Sequence, residues 1–292
     1  MILIGEDLNV MTGKISRVIK EREAGPIQEC VAGQTKNGMD YLDVNVGPVK
    51  KDPQGTMEWI INTVQDVTDL PLSLDTTNPV AMEAGLKVCK KKALINSASG
   101  TTESRETMLP LAAKYSTDVV LSVINDAGLP ADADERAASI MDSAAFANEL
   151  GIPNENIWVD PVLLPIGVDQ RQVTSYLEFI QMLQDLLPGA RSTCGLSNLS
   201  YGAPRELKSL LNRTFLVMIA KYGQHSAIVS GFDQELIRLI RGEMPEIVEL
   251  IYRAMDEADM DLSALSQKEL EYVKTTQVLM GKSLYSHSWL EV

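Results

Sequence analysis

The sequence predicts an α/β fold, a (β/α)8 barrel with a C-terminal helical extension. Three observations predict it. Eight short apolar or β-branched runs alternate with amphipathic stretches of helical character. Eight such units fit into about 240 residues, a usual length for this barrel. Neither G-x-G-x-x-G nor G-x-x-x-x-G-K-[ST] occurs, although the rival open, doubly wound sheet commonly carries a Gly-rich βα turn.

The strand candidates, in order, are 2–4 "ILI", 41–44 "YLDV", 71–74 "PLSL", 93–95 "ALI", 118–124 "DVVLSVI", 156–159 "NIWV", 193–196 "TCGL" and 226–229 "SAIV". Between them the spacing predicts helices near 12–37, 54–68, 79–90, 103–115, 132–150, 169–187, 205–222 and 233–241. In 58–69, Trp59, Ile60, Val64 and Val67 share one helical face. The run 136–151 is rich in helix formers and closes on Gly151, a natural C-cap. After residue 242 the alternation stops: helices are expected over 245–258 and 267–280 with no strand between. We therefore divide the chain into a barrel, 1–242, and a helical extension, 243–292, expected to cover the barrel's side or to build a dimer interface.

Composition narrows the classes. With 292 residues and 45% apolar content the chain can bury a sizeable core. Its net charge of −14 argues against nucleic acid and against anionic membranes, both of which need clustered Lys and Arg. No apolar run approaches the roughly 18 residues of a membrane span. The three cysteines are widely spread, and the N-terminus has no signal-peptide pattern; a cytoplasmic setting is the expectation.

In a barrel the chemistry sits at the carboxyl ends of the strands. Here those ends carry acids and amides: Glu6, Asp7 and Asn9 after strand one, Asp43 and Asn45 on strand two, then Asp75, Asn96, Asn125, Asp160 and Asn198. Asp and Asn are disfavoured in strands. Any single one could serve a turn or cap a helix. Their recurrence on one rim points instead to a ligand that offers N–H groups and a ring carbonyl. A carboxylate can accept two N–H bonds from an amino-pyrimidinone edge, and an Asn can pair with a ring nitrogen and its neighbouring oxygen. Guanine and pterin both present that edge.

Other barrel chemistries fit less well. A Schiff-base aldolase needs a Lys at a strand end, and Lys92 lies at the start of strand four. A glycosidase could draw on Asp43, Asp75 and Asp160, but aromatics make up only 5% of the chain, few for stacking sugars. A metal hydrolase wants histidines; there are two, His225 at the start of strand eight and His287 near the end. No protein-bound metal is expected.

The segments "LDVNVGP" (42–48), "LSLDTTNPVAMEAGLKVCK" (72–90), "ALINSASG" (93–100), "WVDPVLLP" (158–165) and "GLSNLSYG…LLNRTFL" (195–216) resemble the pterin-binding methyltransferases, in particular the methyltetrahydrofolate:corrinoid protein methyltransferases of acetyl-CoA synthesis and of glycine betaine or aryl methyl ether demethylation. The resemblance runs over 1–242 and resumes near 274–292; the stretch 243–273 looks like an insertion. It implies the barrel fold, tetrahydrofolate or 5-methyltetrahydrofolate as substrate, a place in one-carbon metabolism, and a corrinoid (cobalamin) carried by a partner protein that docks at the barrel mouth. A homodimer is expected. The resemblance assigns pterin binding to Asp75, Asn96 and Asp160, contact with N5 to Asn198, and the backbone around it to Gly195 and Ser197. Arg205, or Lys208 in its place, corresponds to an Arg that helps hold the folate. Asp43, Asn45 and Asn9 line the same mouth. Two alternatives stay open: a dihydropteroate synthase-like enzyme, disfavoured because "GLSN" lacks the Ser-Arg-Lys type motif, and a non-catalytic pterin-binding subunit.

Overall fold

In the computed structural model, which describes residues 1–257 and 260–291, the elements run β1 (Ile2–Asn9), α1 (Gly13–Glu21), α2 (Ala24–Lys36), β2 (Tyr41–Asn45), α3 (Pro53–Gln65), β3 (Leu72–Asp75), α4 (Pro79–Val88), β4 (Leu94–Ser99), α5 (Thr102–Tyr115), β5 (Asp118–Ser122), α6 (Ala133–Glu149), β6 (Ile157–Asp160), α7 (Gln172–Leu186), β7 (Arg191–Ser192), α8 (Arg205–Lys221), β8 (Ser226–Val229), α9 (Gln234–Ile240), α10 (Pro245–Asp256) and α11 (Gln267–Leu279). The strands are parallel, in the order β7-β6-β5-β4-β3-β2-β1-β8. A single parallel bridge, Gly195 to Ile228, joins the two ends of the sheet. The fold is the expected (β/α)8 barrel with extra C-terminal helices.

Two packed regions set this architecture. Outside the sheet, the inner faces of the helices meet the outward-facing strand residues in one large core, from Leu3 and Val44 to Phe215 and Tyr272. Inside, Ile4, Leu94, Val120 and Trp158 are fully buried and pack with Ile2, Tyr41 and Ile228. Trp158 meets Tyr41 and His225 edge-on, at centroid distances of 5.7 and 5.2 Å. This plug fills the amino-terminal end of the barrel and forms an apolar floor. His225 is part of it, far from the rim where ligands bind.

Local chemistry explains most boundaries. Asp52, Asn78, Thr101, Asp132 and Asp233 each accept a backbone N–H from the first turn of the helix that follows. Ser266 and Glu269 form a capping box on α11. The extension packs its two helices on each other and on α8; Lys268 and Tyr272 both reach Glu235, at 2.5 and 3.0 Å.

Three expectations need correction. The single helix over 12–37 is two, α1 and α2, with Arg22 left-handed at φ 53°. Pro26 is the reason: inside a continuous helix its ring would strike the carbonyl of Arg22, four residues earlier. Val67 is exposed rather than on the buried face of α3, which ends at Gln65; Met57, Ile60, Ile61 and Val64 carry that face. The seventh strand begins at Arg191, not Thr193. After Ser192 the chain changes neighbours: the Thr193 N–H still reaches Val159 O (2.8 Å), but Cys194 O already accepts from Ile228 N (2.8 Å). Closing the barrel takes these residues out of the regular ladder, and Leu196–Asn198 coils into a 3-10 turn.

Candidate functional site

Side chains alternate across a strand, so a residue two positions beyond a floor residue also faces the interior. Two beyond Tyr41, Leu94, Val120 and Trp158 stand Asp43, Asn96, Ser122 and Asp160. The register carries this around the sheet: Asn9, Asn45, Asp75 and Asn96 are successive Cα partners across β1 to β4, and Ser122 partners Asp160. One apolar layer is thus topped by one layer of acids and amides at the carboxyl end of the barrel.

The hydrogen bonds sort these residues. Asp43 is buried and accepts from Ser73 Oγ (2.6 Å) and Asn96 Nδ2 (3.0 Å), both through Oδ1. Asp75 Oδ2 accepts from Asn45 Nδ2, and Asn45 Oδ1 accepts from Gly47 N (3.0 Å). Asp43 and Asn45 therefore brace Asn96 and Asp75, leaving Asn96 Oδ1 and Asp75 Oδ1 without a hydrogen bond among the described residues. Asp160 Oδ1 accepts from Val162 N (2.8 Å). Val162 has φ 60°, an outlier for a β-branched residue, and the Asp160 carboxylate helps to hold it there. Behind this loop lies Arg136, 1% exposed, donating to Pro161 O (3.0 Å) and Ser175 Oγ (2.5 Å). The Asn96–Ser97 peptide is cis.

Asn198 differs from all of these. It is exposed on the 3-10 turn, and its side-chain amide makes no hydrogen bond among the described residues. Gly195 lies directly beneath it: a Cβ there would come within 3.1 Å of Asn198 Nδ2. Ser197 donates to Glu6 Oε1 (2.5 Å). Asn9 is turn chemistry, its Oδ1 accepting from Met11 N (2.8 Å). Arg205 begins α8 on the exposed surface, while Lys208 lines a cavity of about 310 Å³ together with Ser197 and Asn212.

Glu6 is the residue missing from the sequence-derived site. It was visible only as one of three polar residues after strand one. β1 runs on through it, and a register shift between Gly5 and Leu8 turns Glu6 toward Ser197 and Asp43. Its neighbour Asp7 instead accepts from Gly231 N (2.8 Å) and Ser230 Oγ (3.2 Å), tying β1 to the loop after β8. The alternation of charge around a bulge cannot be seen in a linear pattern.

The electrostatics follow from this crowding. Burial pushes Glu6 up to about 7, with Asp7 and Asp43 adding repulsion against the Ser197 hydrogen bond. Burial also raises Asp160 to about 6, against the Val162 hydrogen bond and the Arg136 charge. Asp43 and Asp75 are both raised, chiefly by burial; the Asp43 charge adds to Asp75. Such a site holds protons near neutrality and gains from any ligand that brings N–H donors to its carboxylates.

A (β/α)8 barrel with an apolar floor and a mouth of carboxylates and amides has the chemistry to suit a polar heterocycle that offers N–H donors. The profile of the pterin binding enzymes matches residues 5–230, so this chain belongs to the family of pterin binding enzymes. A methylcorrinoid:tetrahydrofolate methyltransferase of Eubacterium limosum is 25% identical over 242 residues, covering 82% of this chain and 89% of that protein. Among solved structures, a dihydropteroate synthase of Xanthomonas albilineans with 4-aminobenzoic acid superposes with a TM-score of 0.65 at 18% identity, covering 84% and 92% of the two chains. The dihydropteroate synthase of Thermus thermophilus gives 0.59 at 19% identity, covering 84% and 93%. At these identities the structural likeness establishes the fold alone.

Proposed function

We propose that the chain is a methyltransferase that moves a methyl group between N5 of tetrahydrofolate and the cobalt of a corrinoid carried by a partner protein. The observation that carries this reading is the unengaged amide of Asn198, exposed at a mouth whose acids and amides suit a pterin. The E. limosum relative, a methylcorrinoid:tetrahydrofolate methyltransferase, supports it. Asp75, Asn96 and Asp160 hold the pyrimidine edge, each with an oxygen left free by its bracing contacts. Asp43 and Asn45 keep two of them in place, and Asn9 shapes the rim. Gly195 and Ser197 set the turn that presents Asn198. Lys208, beside Ser197, is better placed than Arg205 to meet the benzoyl-glutamate end.

Methyl-tetrahydrofolate is a poor methyl donor unless the leaving N5 is protonated or strongly hydrogen-bonded. An amide can donate to N5 or accept from its proton, so Asn198 stabilises the charge that changes during transfer. The negative charge around it favours a protonated ring. The corrinoid, bound to its own protein, supplies the cobalt that takes or gives the methyl group. Its docking face fits the rim: Met11, Val80, Val168, Tyr201 and Phe232, all in or next to loops that follow strands, are exposed, and such apolar residues around a polar mouth mark a protein contact. A homodimer, a cytoplasmic setting and the division at residue 242 belong to the same reading.

The test is a spectroscopic assay of cobalt methylation with 5-methyltetrahydrofolate. Transfer to free cob(I)alamin or to a corrinoid protein supports the proposal. Folate binding without any transfer returns the chain to a non-catalytic pterin-binding subunit. Condensation of 4-aminobenzoate with a pterin pyrophosphate would make it a dihydropteroate synthase instead, although "GLSN" places no cation at that strand end and Arg213 nearby is committed to Asp233 (2.7 Å) and Glu235 (2.9 Å).

A further inference from the structure

The turn that carries Asn198 sits where the barrel's ladder is thinnest. β7 is two residues long, and a single parallel bridge, Gly195 to Ile228, closes the sheet. From Leu196 onward the chain has left the ladder, so few ties set its position. Within the turn, Asn198 N reaches back to Gly195 O and Leu199 N to Leu196 O, both at 3.2 Å. Two bonds join it to the rest of the barrel among the described residues. Ile166 N donates to Leu199 O (2.9 Å), and Ser197 Oγ donates to Glu6 Oε1 (2.5 Å). The second is a side-chain bond. It crosses the closing seam to β1 and holds the residue immediately before Asn198.

The anchor is a carboxylate without a cation. Glu6 forms no ion pair among the described residues. The ionisable groups that bear on it are Asp7 on β1, Asp43 on β2 and the Cys194 thiol after β7. From α8, Lys208 shares a cavity with Ser197 but makes no ion pair with Glu6 among the described residues. A glutamine could accept from Ser197 without repelling Asp7 and Asp43. The negative charge is therefore a cost unless the charge itself is used. It has one local effect: a carboxylate accepts from a hydroxyl more strongly than a neutral acid or an amide does. Burial places its ionisation at about 7, where both forms are populated.

We propose that Glu6 is a positioning residue of the methyl-transfer site: its carboxylate, through Ser197, fixes the turn that presents Asn198. The inference rests on the proposed methyltransferase reading, in which Asn198 meets N5. Glu6 acts through Ser197 and not on the reacting atoms. Ionised, it holds Ser197 firmly, and Asn198 keeps one position. Protonated, it is a weaker acceptor whose own O–H competes for Ser197 Oγ, and the turn loosens. The same ionisation still costs the fold stability overall, because burial disfavours the charge.

Two readouts on the full chain test this. The first is hydrogen–deuterium exchange of the amides of 195–201 without ligand, corrected for intrinsic rates, from about pH 6 to about pH 8. Wild-type protection should rise several-fold with pH around a midpoint of about 7. Glu6→Gln and Ser197→Ala should stay at the acid-side level throughout. The second is single-turnover methyl transfer from 5-methyltetrahydrofolate to cob(I)alamin. At about pH 8 each substitution should slow transfer about tenfold, the scale of a misplaced reacting group, while folate affinity changes far less, since Asp75, Asn96 and Asp160 are untouched. The double variant should be no slower than either single one, because both act through one bond. Exchange indifferent to pH and to both substitutions overturns the inference, as do additive losses in the double variant. Equal losses of rate and folate affinity also overturn it, giving Glu6 a general structural role in the mouth. If exchange behaves as expected and the wild type transfers no methyl group, the anchor stands and it is the methyltransferase reading that fails.

Discussion

Asn198 offers an amide that engages nothing among the described residues, while each acid deeper in the mouth is already braced by hydrogen bonds. That contrast separates residues that position from the residue that can respond to a changing proton. Asn198→Ala should lower methyl transfer by about 10²- to 10³-fold, the scale set by loss of one donor to a developing charge, with a smaller loss of folate affinity; unchanged turnover in a single-turnover assay removes the proposed role. Glu6 leads to a pH prediction. Its folded value of about 7 exceeds the ordinary 4.5, so the folded state binds the proton more tightly than the unfolded chain. Stability contributed by this group is full below about 4.5 and is lost as pH rises to about 7. Urea unfolding across that window should show a decline, to which the raised Asp43, Asp75 and Asp160 also contribute, and Glu6→Gln should make it shallower; a decline of the same size in the variant would place its cause in those other acids.

Individual elements place these residues. Asn78 caps α4 by accepting from Val80 N (3.0 Å) and Ala81 N (3.2 Å), and its Nδ2 also holds Val49 O (3.1 Å) of the loop after β2. Asn78→Ala should cost about 1–2 kcal/mol in equilibrium unfolding, and it should loosen the loop after β2 that Asn78 holds through Val49 O. On the other side, α6 reaches through Arg136 to the loop after β6. Arg136→Met would strip Pro161 O of its donor and remove a positive charge that holds Asp160 down. Destabilisation of about 1–3 kcal/mol is expected, and the pH at which folate affinity titrates should move upward, read by fluorescence titration at several pH values. A variant that loses stability with no shift in that pH would give Arg136 a purely structural role.

At the scale of the molecule, the barrel brings together residues far apart in the chain, as in the Glu6–Ser197 contact, and gathers exposed apolar side chains around one rim. If that rim receives a corrinoid protein, Met11→Ser/Tyr201→Ser should raise KM for the protein-bound corrinoid several-fold while leaving transfer to free cobalamin unchanged. Equal effects on both acceptors would remove the docking role. Trp158→Ala, in the floor, acts differently: it should cost about 3–5 kcal/mol in stability, because its neighbours Ile4, Leu94 and Val120 come from strands locked in the ladder and cannot collapse into the void.

The alternation of short apolar runs and amphipathic helices determined the barrel, because each βα unit carries its own periodicity. The same local pattern put Asp75, Asn96 and Asp160 at strand ends, where period-two geometry turns them inward, Asn96 and Asp160 above the apolar Leu94 and Trp158 and Asp75 above Ser73. Local signals could not separate Asn9, which serves a turn, from Asn96, which faces the mouth, since both follow a strand. Nor could they find Glu6, whose direction depends on a bulge. Those were decided by closure of the sheet. Where β7 leaves β6 to meet β8, and where β1 shifts register against β2, backbone hydrogen bonds with distant neighbours, not intrinsic propensity, set which side chains face one another.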